Sequence, residues 1–161
     1  MSEKKHPTDQ EIQDRVLDFL ENTRVLTLAT CADNQPWSAT LAFAFDKELN
    51  LYCITNGLSR HIQEIIKNPA VSVSMYEHQS PSYNPLTVKG LQLEGRAKIL
   101  SGAEVLLGLK VFIGRFPKAE KMSVERLFEL KSARLMRIEP NRLYYLDRGN
   151  FGERVELSLN Q

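Results

Sequence analysis

The stretch YCITNGLSRHIQEIIKNPAVSVSMY, Tyr52 to Tyr76, places a strand, a turn, a short helix and a second strand in one run. Leu51–Thr55 is apolar and reads as a strand, and Asn56-Gly57 is a turn pair. Ile62, Ile65 and Ile66 recur at helical spacing and predict a buried stripe. Pro69 stops that helix, because the residue before a proline is pushed out of helical backbone. Ala70–Glu77 then alternates as a strand does, with Val71, Val73 and Met75 on one side. Ser59, Arg60 and His61 stand where the helix begins. A helix start offers unpaired amides and a partial positive charge to an anion. Arg60 adds a planar fork that suits phosphate oxygens, and Thr55 and Asn56 add donors at the strand end. The residues leave a plainer reading open, in which Ser59 caps the helix and Arg60 is solvated. Ile62 at the third helical position excludes a capping box.

Upstream, Thr8-Asp9-Gln10-Glu11 is a capping box, and Ile12, Val16, Phe19 and Leu20 share one face of a helix that ends near Asn22. Arg24–Cys31 and Trp37–Phe45 read as strands around a turn at 32–36, with a second turn at Asp46–Asn50. Downstream, QSPSYNPL is a loop and Val88–Leu100 a long strand. Ser101-Gly102-Ala103-Glu104 reads as another capping box. The helix behind it, to about Ile113, is apolar nearly all round, which predicts burial on more than one side, here against a partner subunit. Val124, Leu127 and Phe128 mark one more short helix, and Arg134–Asp147 and Arg154–Leu159 supply the last strands. Many strands with few helices between them predict a mainly β fold, an antiparallel barrel with attached helices. One domain spans residues 1–161, with a loose tail at 1–7.

Bulk composition narrows the function classes. Lys plus Arg number 21 and Asp plus Glu 20, so the net charge of +1 gives no electrostatic case for nucleic acid. No apolar run approaches a membrane span, and the polar start MSEKKHPTDQ lacks a signal-peptide core, so a cytoplasmic protein is expected. Cys31 and Cys53 lie in apolar strands without CxxC spacing and read as small buried hydrophobes. His6, His61 and His78 are far apart, and no metal-ligand spacing is present, so no metal is expected. GxGxxG, Walker and GxSxG patterns are missing, and no catalytic residue can be assigned.

The order of elements carries a resemblance. Thr55-Asn56, Ser59-Arg60-His61, Asn68-Pro69 and AVSVSMY are similar to the strand–turn–helix–strand segment of pyridoxamine 5′-phosphate oxidase and its relatives, the FMN-binding split β-barrel proteins. In that family the pattern runs Tyr-Thr-Asn, two residues, Ser-Arg-Lys, a short helix, Asn-Pro and a Val-rich strand. The similarity extends back through WSATLAFAF and forward to KGLQLEGRAKIL, so that residues 24–100 are covered. The later helix, RFPKAEKM and the closing FGE resemble a small bacterial subgroup of the superfamily without an assigned activity.

The resemblance implies a homodimer with FMN at the subunit interface. It maps phosphate contacts to Thr55, Ser59 and Arg60, with Asn56 and His61 beside them, and sets Ser38, Ala39, Thr40 and Leu41 along the flavin ring. Four positions depart from the oxidase pattern. His61 replaces a lysine, Ser38 an arginine, Phe43 the lysine that reaches towards substrate, and Gly90 a glutamine. The oxidase's basic C-terminal substrate motif is not recognisable. The expectation is therefore a flavoprotein oxidoreductase acting on an unidentified small molecule or electron donor, not a true pyridoxamine 5′-phosphate oxidase. Two alternatives stay open: a non-catalytic FMN-binding or ligand-sensing protein, and a relative that uses haem or deazaflavin.

Overall fold

A computed structural model describes residues 6–77, 84–116 and 132–159 of the chain. The capping box at Thr8 forms as read: Thr8 Oγ1 accepts from the Glu11 amide at 3.2 Å, and the Glu11 carboxylate accepts from the Thr8 amide at 2.7 Å. It opens helix α1 (Asp9–Asn22), which buries Ile12, Val16, Phe19 and Leu20. Strands β1 (Val25–Ala32) and β2 (Gln35–Ala42) form a tight hairpin. Asp33 and Asn34 make its two-residue turn, both at positive φ (52° and 58°), a conformation these residue types tolerate.

The strand expected over Trp37–Phe45 breaks at Phe43, whose side chain is fully buried. A two-residue strand, β3 (Ala44–Phe45), follows and pairs with β4 (Leu51–Asn56). Next come helix α2 (Arg60–Lys67), β5 (Ala70–Tyr76), β6 (Lys89–Ile99), helix α3 (Ala103–Arg115), β7 (Ala133–Asp147) and β8 (Arg154–Leu157). The short helix read at Val124–Phe128 and the residues of the QSPSYNPL loop before Asn84 lie outside the described residues.

All pairings are antiparallel. The sheet order is β2-β1-β5-β6-β7-β4-β3, with β8 added to the second half of β7. Curling of this sheet makes a split half-barrel filled by Leu26, Leu28, Phe43, Leu51, Leu91, Met136, Ile138 and Leu143, which α1 plugs from one side. Burying a side chain of this size contributes about 1.5–3 kcal/mol, so the interior carries most of the stability. Gly95 sits at a bulge between β6 and β7, and a Cβ there would lie 2.4 Å from the Glu139 carbonyl oxygen. Glycine lets the two backbones close and the sheet bend.

The capping box expected at the start of α3 does not form. The N-cap of this helix is Gly102, at φ 57°, and no side chain caps it. Glu104 instead binds Lys98 at 2.8 Å. Within the single chain α3 buries Gly108 and Phe112, while Leu106 and Leu107 stay exposed on the side expected to meet a partner subunit. At the far end of α3, Arg115 Nη2 donates to the carbonyls of Leu20 and Thr23. Its guanidinium lies 4.9 Å from the Phe43 ring centre and 4.7 Å from that of Phe45. Burial lowers its pKa to about 10, so it still carries its charge at neutral pH.

Candidate functional site

The turn between β4 and α2 is held by its own side chains. Asn56 Oδ1 accepts from the Leu58 amide at 2.9 Å, and Gln63 Nε2 donates to the Gly57 carbonyl at 2.9 Å. Gly57 donates its amide to the Ser132 carbonyl, where the chain enters β7. A Cβ on Gly57 would lie 2.8 Å from that oxygen and 2.9 Å from Arg134 Cγ, so the close approach needs glycine. Asn56 therefore builds the turn.

Ser59 occupies the N-cap of α2, but its side chain makes no capping bond. Its hydroxyl donates to the Asn56 carbonyl at 2.6 Å and lies 3.0 Å from His61 Nε2. Thr55 Oγ1 lies 2.9 Å from the same nitrogen. Because Ser59 has given its proton to Asn56, the arrangement favours the Nε2–H tautomer, which donates towards the two hydroxyl oxygens. His61 is buried, and burial holds its imidazole below the ordinary value of 6.5, against the opposing pull of Glu64. In this position it is a neutral hub for Thr55 and Ser59, not a cation offered to solvent in place of a lysine. The plain Ser cap is also corrected: Ser59 makes no capping bond, and among the described residues no side-chain acceptor meets the first-turn amides of α2.

Arg60 is not simply solvated either. Its Nε donates to Glu64 Oε1 at 2.7 Å, one helical turn on. Its guanidinium lies 4.6 Å from the centre of the Trp37 ring, within cation–π range. Glu64 is only 7% exposed, and its other oxygen accepts from Thr30 Oγ1 at 2.5 Å. Hydrogen bonds from Thr30 and then Arg60 hold its carboxyl below its usual range, so it is ionised at neutral pH. Thr30 and Trp37 are cross-strand partners in the β1–β2 hairpin. Directly opposed residues share a face, so one pair on the hairpin meets one i, i+4 pair on α2.

Trp37 joins the two halves of the candidate site, since it precedes Ser38 on β2 and touches Arg60 on α2. Ser38 and Thr40 are exposed, Ala39 and Leu41 half-buried, and among the described residues β2 pairs with β1 alone. Its outer edge thus offers backbone donors and acceptors. Phe43 lies in the core beneath Arg115 and does not face this edge as the resemblance would place it. Ile66, expected in the buried stripe, is 64% exposed. Neighbouring helical residues are turned by about 100°, and α2 shows β1 only the side bearing His61, Ile62, Glu64 and Ile65.

Sequence reading missed Glu64, Thr30 and Trp37. The i, i+4 spacing of Arg60 and Glu64 was a usable signal. Thr30 and Trp37 give none, because their place beneath α2 depends on strand register. Among the described residues no group of three or more His, Cys, Asp or Glu is gathered to hold a metal ion, and no helix is long and apolar enough to cross a membrane.

Comparison with known proteins bears on this geometry. A UPF0306 protein of Yersinia pestis is 29% identical over 113 residues, which cover 70% of this chain and 74% of the relative. Three solved structures share the fold. The heme binding protein of Mycobacterium smegmatis has a TM-score of 0.73 at 17% identity, over 94% of this chain and 58% of its own. The haem storage protein HutZ of Vibrio cholerae has a TM-score of 0.66 at 22% identity, over 81% and 91%. A putative pyridoxamine 5′-phosphate oxidase of Listeria innocua has a TM-score of 0.61 at 20% identity, over 84% and 98%. The family profile described as pyridoxamine 5′-phosphate oxidase matches residues 12–147, which hold every strand that forms the half-barrel except β8 and the whole turn from Thr55 to Arg60. With most of its length matched in this way, the chain belongs to the pyridoxamine 5′-phosphate oxidase family.

Proposed function

We propose that this chain is an FMN-binding split-barrel flavoprotein, a homodimer and an oxidoreductase, that acts on a small molecule other than pyridoxamine 5′-phosphate. The observation that carries the reading is the start of α2, where Ser59 makes no capping bond, the Thr55 and Ser59 hydroxyls meet at His61 Nε2, and Arg60 is the first helical residue. Residues of this kind fit a phosphate monoester: backbone amides at a helix N-terminus, a guanidinium, the Thr55 hydroxyl, and the Ser59 hydroxyl once it turns from the Asn56 carbonyl. Arg60 and the α2 amides would hold the phosphate, and the free edge at Ser38–Leu41 would face the polar rim of the ring. When bound, the flavin supplies hydride and electron transfer, while the protein supplies position and electrostatics.

The test compares FMN with riboflavin, which lacks the phosphate, by flavin fluorescence. A hydrogen bond to a charged group contributes roughly 1.5–3 kcal/mol, and each 1.4 kcal/mol is about tenfold in affinity. Arg60→Ala should weaken FMN about ten- to a hundredfold and leave riboflavin unchanged. Equal losses for both, or none, would sink the reading.

The neighbours favour a second reading, because two of them are named for haem. An absorption spectrum of the protein titrated with each group separates the two. Saturable flavin bands support the first reading, and a saturable Soret band supports the second.

A further inference from the structure

The Arg60 guanidinium is already engaged before any ligand arrives. Glu64 takes its Nε at 2.7 Å and Trp37 covers one face at 4.6 Å, and among the described residues the terminal nitrogens make no further hydrogen bond. The carboxylate is fixed from behind by Thr30 at 2.5 Å and is nearly sealed from water, so it does not swing away. It cancels the formal charge of the guanidinium. His61, buried and bound to two hydroxyls, adds none at neutral pH. A phosphate monoester carries about 1.5 to 2 negative charges at that pH. The cradle thus has the hydrogen-bond donors for a phosphate but little net charge to balance it.

We infer that Glu64 is an affinity-setting residue: an internal carboxylate that competes for Arg60 and keeps phosphate binding weak and exchangeable. This rests on the reading that Arg60 meets the phosphate. The carboxylate repels the incoming dianion and draws on the same guanidinium, while donor geometry is kept. Relief of that competition should tighten binding of the phosphate and of nothing else.

Glu64→Gln tests the charge with the shape preserved. The Gln oxygen can still accept from Arg60 Nε, and the Thr30 hydroxyl can turn to accept from the amide. FMN should then bind about tenfold more tightly, the scale of one charge removed near a partly exposed site, while riboflavin is unchanged. Inorganic phosphate titrated against the emission of Trp37, the chain's single tryptophan, should show the same tightening without any flavin. Thermal unfolding monitors the fold. Should Glu64→Gln fold poorly, Glu64→Ala makes the same charge change without asking Thr30 for a new partner, and it too should tighten FMN. Equal or weaker FMN binding in the folded variants would overturn the inference while Arg60→Ala still weakens FMN, and Glu64 would then be a support for Arg60. If Arg60→Ala leaves FMN unchanged, the reading itself fails, and the role given to Glu64 falls with it.

Discussion

Thr55 Oγ1 and His61 Nε2 lie 2.9 Å apart, across the turn that joins the end of β4 to the start of α2. This contact ties the candidate cradle to the stability of the fold, because the imidazole is buried and its neutral form is the one that fits. The sign of the pH effect follows. A histidine whose folded value lies below its unfolded value of about 6.5 binds its proton more readily in the unfolded chain. Its stabilising contribution is present above that value and is lost as pH falls towards the depressed folded value. Stability should therefore decline on acidification below about pH 6.5, before the Glu64 contribution fails. That second loss is confined to pH below the usual carboxylate value of 4.5, since the Glu64 folded value is depressed. In His61→Gln the upper decline should disappear and the lower one remain, as read from urea midpoints across the pH range. An unaltered upper decline would place its origin elsewhere.

Gly57→Ala should cost about 1–3 kcal/mol, the range for forcing extra atoms into a packed site. The new Cβ meets backbone at Ser132, which cannot rotate aside as a side chain would. The same displacement moves Ser59 and Arg60, so weaker flavin binding should accompany the loss of stability. Urea unfolding and a flavin titration on one preparation measure both, and a variant as stable as the parent would show that the turn has slack.

Phe43→Lys puts back the residue type that the family resemblance sets at this position. It should not bring pyridoxamine 5′-phosphate oxidation with it. The ring is fully buried with the Arg115 guanidinium 4.9 Å away, so the new ammonium would be a buried cation beside a half-buried one. An uncompensated buried charge costs about 3–5 kcal/mol. Loss of the folding transition, or an unfolding free energy lowered by that much, is the expected outcome. A stable variant that turns over pyridoxamine 5′-phosphate would refute it.

Much of the fold was legible because its signals are local. The Thr8–Glu11 box, the alternation in Ala70–Tyr76 and the apolar runs of β4 and β7 each speak within a few residues. The failures share a cause. The break at Phe43 depends on packing under Arg115, and the pairing of Thr30 with Trp37 depends on hairpin register. The supposed second capping box lost to Lys98, near the end of β6, whose direction relative to α3 is set by the sheet. In the cradle the residue types were readable, but their partners were not. Sequence places Ser59 and His61 at a helix start, and only the folded turn shows that they bond to each other.

The two cysteines should differ sharply towards thiol reagents. Burial pushes the Cys53 thiol up to about 12 and leaves it no exposed surface, whereas Cys31 is half-buried. Native protein should release one equivalent of chromophore from a disulfide reagent, and urea-unfolded protein two. Two fast equivalents from native protein would mean that β4 opens readily.

The contact between Arg115 and the Leu20 carbonyl joins residues 95 apart in the chain. During synthesis at about 5–20 residues per second, α1 leaves the ribosome roughly 5–20 s before the arginine that fastens its end. For that interval Ile12, Val16, Phe19 and Leu20 have no finished barrel to cover them. Helix α1 is thus made well before the contact that secures its end, and through that interval the nascent chain exposes a sticky amphipathic segment.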